Sequence, residues 1–299
     1  MLEVLRSSVN TWDCDHMGHM NVRHYFGRAN DGLAVLALQL GLSPRSLIER
    51  GLSLRARDQH LRFSRELRPG AGFAISAGVV TQSASSLTAY EELRTLEQEV
   101  SATIVTECGL LETNSGAPVP WPDALLTAAA AQRCEVPAYA QPRGVVARAA
   151  RTRIRREQAL ALGMQPGWLG VVAAEDCDAR GLMRESACMG RIADGIAHFF
   201  RGVHGERPSG IGGAALEYRF VFHTWPRLSD VIEVRSGLSA LGSKTMQITH
   251  NIFDYASGEC VATSQAVVVW FDLTARRAIA IPDDVRVRLE ARVISQLTL

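Results

Sequence analysis

The chain has 299 residues, enough for two domains of ordinary size. Its composition, 47% apolar and 21% charged, is that of a globular protein, and its net charge of +1 gives no bulk electrostatic case for nucleic acid or an anionic membrane as partner. The six cysteines show no C-x-x-C spacing, which excludes a recognisable zinc site or disulfide framework and suits reduced thiols in a cytoplasmic protein. Met1–Arg6 lacks the apolar core of a signal peptide, and the longest apolar run, Ala266–Phe271, is far too short to span a bilayer.

In chain order, a strand is predicted over Leu2–Trp12, ending at Asp13-Cys14-Asp15. A turn holding Gly18 follows. The next segment, Val22–Leu40, has helical period, with Tyr25, Ala29, Leu33 and Leu36 on one face and Gly41 as its stop. Four runs rich in β-branched and apolar residues predict strands at Leu52–Glu66, Ala71–Gln82, Ser86–Leu96 and Ser101–Glu112. The first domain is placed over 1–122. Residues 123–166 read as a linker with helical pieces. There Ala124–Arg133 is an Ala-rich helix, Val136–Pro142 carries two prolines, and Arg143–Arg156 carries six arginines. The arginines read as a solvated helix face, with an anion patch as the alternative. The second domain, 167–299, repeats the order. A strand at Leu169–Ala174 ends at Asp176-Cys177-Asp178, and a helix covers Glu185–Phe200. Strands follow at Ala215–His223, Val231–Leu241, Thr245–Tyr255 and Cys260–Leu273. The fold class is therefore α+β, two tandem domains, each a long helix wrapped by a curved antiparallel sheet.

The two copies match at several positions at an offset of 163, among them Asp13-Cys14-Asp15 against Asp176-Cys177-Asp178. Val9 meets Val172, Gly18 meets Gly181, Gly27-Arg28 meets Gly190-Arg191, and Asp31-Gly32 meets Asp194-Gly195. Further on the offset becomes 159, where Gly78 meets Gly237 and Ser86 meets Thr245. The chain is thus an internal duplication.

The stretch Trp12-Asp-Cys-Asp-His-Met-Gly-His-Met-Asn-Val-Arg-His-Tyr25 carries most of the chemistry. It sets a carboxylate, Asp15, just before the start of a long helix. The unpaired N–H groups of a helix start form a partly positive pole that holds an oxyanion and keeps a nearby carboxylate ionised. A carboxylate and an oxyanion pocket on either side of a carbonyl are the parts acyl transfer needs. The carboxylate acts there as general base on water or as direct nucleophile. Gly18 would let backbone approach the carbonyl closely.

These residues resemble the acyl-CoA thioesterases of the hotdog fold, of the 4-hydroxybenzoyl-CoA thioesterase type. The carrying features are Asp-x-Asp-x-x-Gly-His-x-Asn, the Tyr-bearing helix, and the strand that holds His60-Leu-Arg-Phe-Ser-Arg-Glu-Leu-Arg-Pro-Gly70. The resemblance covers Leu2–Pro122 well and Trp168–Pro282 more loosely. It implies that Asp15 is the catalytic carboxylate and that the backbone from Gly18 to Val22 polarises the thioester carbonyl. It also implies that His19 and Asn21 shape the pocket. Val22 stands where the family often has a second Asn. It implies an acyl-CoA substrate, with no separate cofactor because CoA belongs to the substrate. Hotdog units normally pair, so the tandem chain would be a pseudo-dimer with two unequal sites, and a homodimer of such chains is compatible with it. In the second copy Asp178 and Gly181 are kept, but Leu182 and Arg184 replace His19 and Asn21. Asp178 is a second candidate carboxylate, either divergent or structural.

Arg62, Arg65 and Arg68 form a charged strand face and, under the resemblance, are candidate contacts for CoA phosphates. Lys244, the one lysine of the chain, sits in the turn Ser243-Lys244-Thr245 and is a fourth such candidate. Asp31 and Asp194, mid-helix, are rival catalytic carboxylates, the plainer reading being ion pairs with Arg28 and Arg191. Asp13 and Asp176 read as turn-orienting. His16 and His19 lack a third metal ligand, and Cys14 lacks a base to activate it. A non-catalytic acyl-CoA-binding module is the alternative function. A hydratase of the same fold would pair Asp with a His in a pattern absent here.

Overall fold

The structure is a computed structural model and describes residues 1–145, 153–205 and 210–297. The chain divides into two compact units, Met1–Gln141 and Pro142–Leu299. Each is a hotdog domain, as the resemblance implied.

In the first unit β1 (Leu2–Ser8) leads through a 3₁₀ turn at Thr11–Asp13 to α1 (Val22–Gln39). A short helix α2 (Pro44–Glu49) precedes the strands β2 (Leu52–Phe63), β3 (Gly72–Gln82), β4 (Leu87–Thr95) and β5 (Val100–Glu112). The sheet runs β1-β3-β4-β5-β2, antiparallel throughout, and β6 (Pro118–Val119) pairs with β5. The helix α3 (Asp123–Ala130) closes the unit against β3. The helix at 123–130 thus lies in the first unit, and the unit boundary falls inside the stretch read as a linker. Its apolar Leu125 and Ala129 are buried, which anchors it to the sheet.

The second unit repeats the plan. Helix α4 (Arg156–Ala161) and β7 (Gln165–Val171) lead through a 3₁₀ turn at Ala174–Asp176 to α5 (Glu185–His204). Its strands are β8 (Ile211–Phe222), β9 (Val231–Leu241), β10 (Thr245–Asp254) and β11 (Cys260–Asp272). They run β7-β9-β10-β11-β8, the same order, with β12 (Arg277–Ala278) on β11 and α6 (Asp283–Glu290) in the place of α3. Part of the arginine-rich stretch, 146–152, lies outside the described residues. Of the rest, Arg156 pairs with Glu233, and Arg155 with Glu259.

The core of the first unit follows from periodicity. Phe26, Ala29, Leu33 and Leu36 face the sheet at helical spacing, and Leu61, Ile75, Leu93 and Ile104 face them at strand spacing, all buried. Each large apolar side chain buried this way contributes roughly 1.5–3 kcal/mol. Tyr25 packs edge-on against Phe63, ring centroids 5.1 Å apart. The repeated Asp-Gly has a packing cause. A Cβ at Gly32 would lie 2.5 Å from a carboxylate oxygen of Glu91, and one at Gly195 would lie 2.6 Å from the Gly167 carbonyl carbon. Each helix crosses its sheet too closely at that point for a side chain.

Candidate active site

The site is built where β1 gives way to α1. Val9 still pairs with Ala71, but the chain then turns. The buried carboxylate of Asp13 accepts from the Asn10 N–H at 2.9 Å, and its carbonyl accepts from the Asn21 N–H at 2.8 Å. His24 Nδ1 lies 3.5 Å from Asp13, and burial lowers its pKa despite that neighbour. Asp13 thus orients the loop, the role expected of it.

Within the loop so held, the Asp15 N–H donates to the His19 carbonyl and the Gly18 N–H donates back to the Asp15 carbonyl at 3.0 Å. Gly18 turns with φ of +75°, a conformation that other side chains rarely adopt. Asp15 Oδ1 accepts from the Met17 N–H at 2.9 Å and lies 3.7 Å from His19 Nδ1. The Asp15 side chain is 21% exposed, enough for a substrate atom to reach it. Asn21 is the N-cap of α1, its side-chain oxygen accepting from the Arg23 N–H at 3.0 Å. That bond places Asn21 at the helix start, beside the Asp15 loop. Of the amides from Gly18 to Val22, three are spent: Gly18 on Asp15, Met20 on Leu67 and Asn21 on Asp13. The N–H groups of His19 and Val22 find no acceptor among the described residues. Val22 opens α1, so its N–H stands at the positive end of the helix.

Sequence reasoning missed Glu66. Its carboxylate lies 3.9 Å from His19 Nε2, a buried ring nitrogen that makes no hydrogen bond of its own. His19 therefore stands between two carboxylates, Asp15 on one ring nitrogen and Glu66 on the other. The repeat held a signal for it: at the offset of 159, Glu66 meets Trp225, a carboxylate present only beside the copy with a histidine.

The second unit keeps the loop and loses these side chains. The Asp178 N–H donates to Leu182, Gly181 to Asp178 and Arg184 to Asp176, as in the first copy. Asp178 Oδ1 accepts from the N–H groups of Arg180 at 2.8 Å and Leu182 at 3.1 Å. Leu182 fills the place of His19 and is buried. Trp225 fills that of Glu66 and donates to Glu185 at 3.3 Å. Arg184, at the N-cap position, makes no capping bond with its side chain.

The other candidates are placed as follows. Asp31 lies 3.8 Å from Arg28, and Asp194 bonds to Arg191 at 2.8 Å, both carboxylates exposed. Arg191 also reaches the buried Asp176 and stacks over Trp168. Arg62 donates to the Tyr139 and Gln141 carbonyls, and Arg65 pairs with Glu99 at 2.6 Å in solvent. Arg68 is exposed. Lys244 is exposed and has no ion-pair partner among the described residues. Burial and the flanking Asp13 and Asp15 raise the Cys14 pKa, which keeps it a thiol. His16 is exposed, and among the described residues no three His, Cys, Asp or Glu side chains gather as a metal site. Among them, too, no helix is long and apolar enough to cross a membrane.

Two tandem domains of this topology, with an Asp-bearing loop at each helix start, match a known family. Residues 9–129 and 172–289 each match the model of the thioesterase-like superfamily, and the chain belongs to it. No curated protein matches the chain by sequence. Three solved structures share the tandem fold at low identity. A putative oleoyl thioesterase from Lactobacillus plantarum is 12% identical, with a TM-score of 0.68 over 89% of this chain and 94% of its own. The 12:0-ACP thioesterase from Umbellularia californica is 10% identical, with a TM-score of 0.66 over 92% and 93%. An acyl-ACP thioesterase from Bacteroides thetaiotaomicron is 9% identical, with a TM-score of 0.65 over 88% and 96%.

Proposed function

We propose that the chain is an acyl-CoA thioesterase whose one working site is the Asp15 loop, and that CoA enters only as part of the substrate. The observation that carries this reading is the grouping of Asp15, His19 and the Val22 N–H at the start of α1. Asp15 takes a proton from water as the water oxygen attacks the thioester carbonyl carbon. The oxyanion that forms faces the Val22 N–H and the positive end of α1, which stabilise it more than the neutral carbonyl. The carbon–sulfur bond then breaks, and the thiolate takes up the proton held at Asp15. His19, between Asp15 and Glu66, orients the base. Direct attack by Asp15 uses the same geometry and passes through a mixed anhydride that water must open. Arg65 and Lys244, exposed and basic, remain the candidates for the CoA phosphates. Arg62, bound to two carbonyls, is a weaker candidate than these.

A second reading concerns the carrier. Two of the tandem structures of like fold are named for acyl groups on a carrier protein. The pantetheine thioester is common to CoA and carrier protein, so the same loop serves either.

The test is free thiol release from a panel of acyl-CoAs and the matching acyl carrier proteins, with wild type and Asp15→Asn. We expect turnover by wild type and a loss of at least about 100-fold in the variant. Binding of acyl-CoA without any thiol release would support the non-catalytic module instead.

A further inference from the structure

A gap at the edge of the second sheet opens toward the core of that unit. Strand β7 borders β9 only as far as Gln165, opposite Ser236. Beyond it the C-terminal segment takes the edge, the Ile294 N–H donating to the Leu238 carbonyl at 2.8 Å. Where the two meet lies a cavity of about 310 Å³, within the size range of small-molecule sites. Leu162, Phe199, Val203 and Leu238 give it apolar walls.

Ser236, a nearly buried residue with a hydroxyl, is among the lining residues. Its Oγ lies 2.7 Å from His250 Nδ1, and it has no other partner among the described residues. His250 is fully buried, and its Nε2 makes no hydrogen bond. Burial drives its pKa down to about 3, so the neutral ring carries a single hydrogen. If that hydrogen sat on Nε2, it would be a buried donor without an acceptor, the costlier arrangement. On Nδ1 it donates to Ser236 Oγ, and the serine's own hydrogen is left to donate elsewhere. Among the described residues nothing receives that hydrogen, and Ser236 is one of the residues that line the cavity. Arg292 also lines the cavity, exposed and with no anionic partner among the described residues.

We propose that this cavity binds a small carboxylic acid with an aliphatic tail. The carboxylate is drawn by Arg292 and accepts from Ser236, and the tail lies against Leu162, Phe199, Val203 and Leu238. The first unit has no counterpart, because Ala77 and Glu91 stand where the second has Ser236 and His250. The site is separate from the Asp15 loop and does not depend on the activity assigned to it.

The test is calorimetric titration of the full chain with octanoate and with octanamide. Saturable binding of one octanoate is expected, with the amide about tenfold weaker, a difference of the size one charge-assisted contact makes. Arg292→Gln should weaken octanoate about tenfold and leave the amide unchanged. Leu162→Trp, a half-buried position, should block both, while Asp15→Asn binds as wild type. The proposal is overturned if octanoate and butyrate show no saturable binding at millimolar concentration. It is equally overturned if Arg292→Gln and Leu162→Trp, both folded, bind as wild type, or if Asp15→Asn abolishes binding.

Discussion

The two units share one loop and differ in what the loop carries. The return bond from the glycine N–H to the Asp carbonyl is 3.0 Å in both, and the glycines turn alike, at φ +75° and +74°. On that common backbone the first unit sets His19 and Glu66 around its carboxylate, and the second sets Leu182 and Trp225. The comparison teaches that backbone hydrogen bonds can preserve a loop, and the Asp it carries, while the side chains around that Asp change. The divergence reaches the core too. Glu91 lies opposite Ala77, and His250 opposite Ser236, at corresponding places of the two sheets. Both are fully buried, and burial moves their pKa values in opposite directions, Glu91 upward and His250 downward, each shift favouring the uncharged form.

The largest expected effect breaks the packing equivalence of the two helices. Gly195→Ala drives a methyl group onto the backbone of Gly167 and Trp168, which cannot rotate away. It should cost about 3 kcal/mol or more, read as a fall in Tm. Gly32→Ala meets the flexible end of Glu91 and should cost about 1–2 kcal/mol. Equal losses at the two glycines would contradict the contacts described.

Next in size, His19→Leu converts the first loop to the side chain of the second. It should lower kcat about 100-fold with little change in Tm. At the matching position of the second loop, Leu182→Ala should leave kcat alone and lower Tm, by the cavity it opens. A Leu182 variant with impaired turnover and intact Tm would count against the asymmetry.

The smallest effects are those of pH. Burial raises the Glu91 pKa well above its ordinary 4.5, so above that pH the unfolded chain gives up a proton that the folded chain keeps. Stability is full below about pH 4.5 and falls as pH rises from there. Glu91→Gln should remove this slope and gain about 1 kcal/mol at neutral pH, with no gain at pH 4. His250 acts in the other direction. Its pKa falls from 6.5 to about 3, so its stability is present above 6.5 and is lost as pH falls toward 3. Denaturation curves between pH 4 and 8 would show both, and a Glu91→Gln curve parallel to wild type would refute the first.

Much of this was legible in the sequence because the signals are local. Helical period marked α1 and α5 to within a few residues, and runs rich in β-branched and apolar residues placed the eight long strands. Some short elements escaped. Helix α6, Asp283–Glu290, is mostly charged, and only Val285 and Leu289 are buried, too few to show a period. The Asp15 loop was legible because Asp, Gly and the helix start lie within a few positions. Glu66 was not, since its approach to His19 depends on where β2 ends, 47 residues along the chain. The burial of Glu91 was hidden for a like reason. In Tyr90-Glu91-Glu92 two carboxylates follow each other on opposite faces, and both are buried. Nor did sequence show that Arg62 is spent on Tyr139 and Gln141, at the far end of the same unit.

The central claim is that only one of the two loops does chemistry. The direct test is kcat/KM for thioester cleavage in Asp15→Asn and in Asp178→Asn, each checked for native Tm. The account predicts a loss of about 100-fold or more at Asp15 and less than about threefold at Asp178. Comparable losses at both positions, or the larger loss at Asp178, would contradict it.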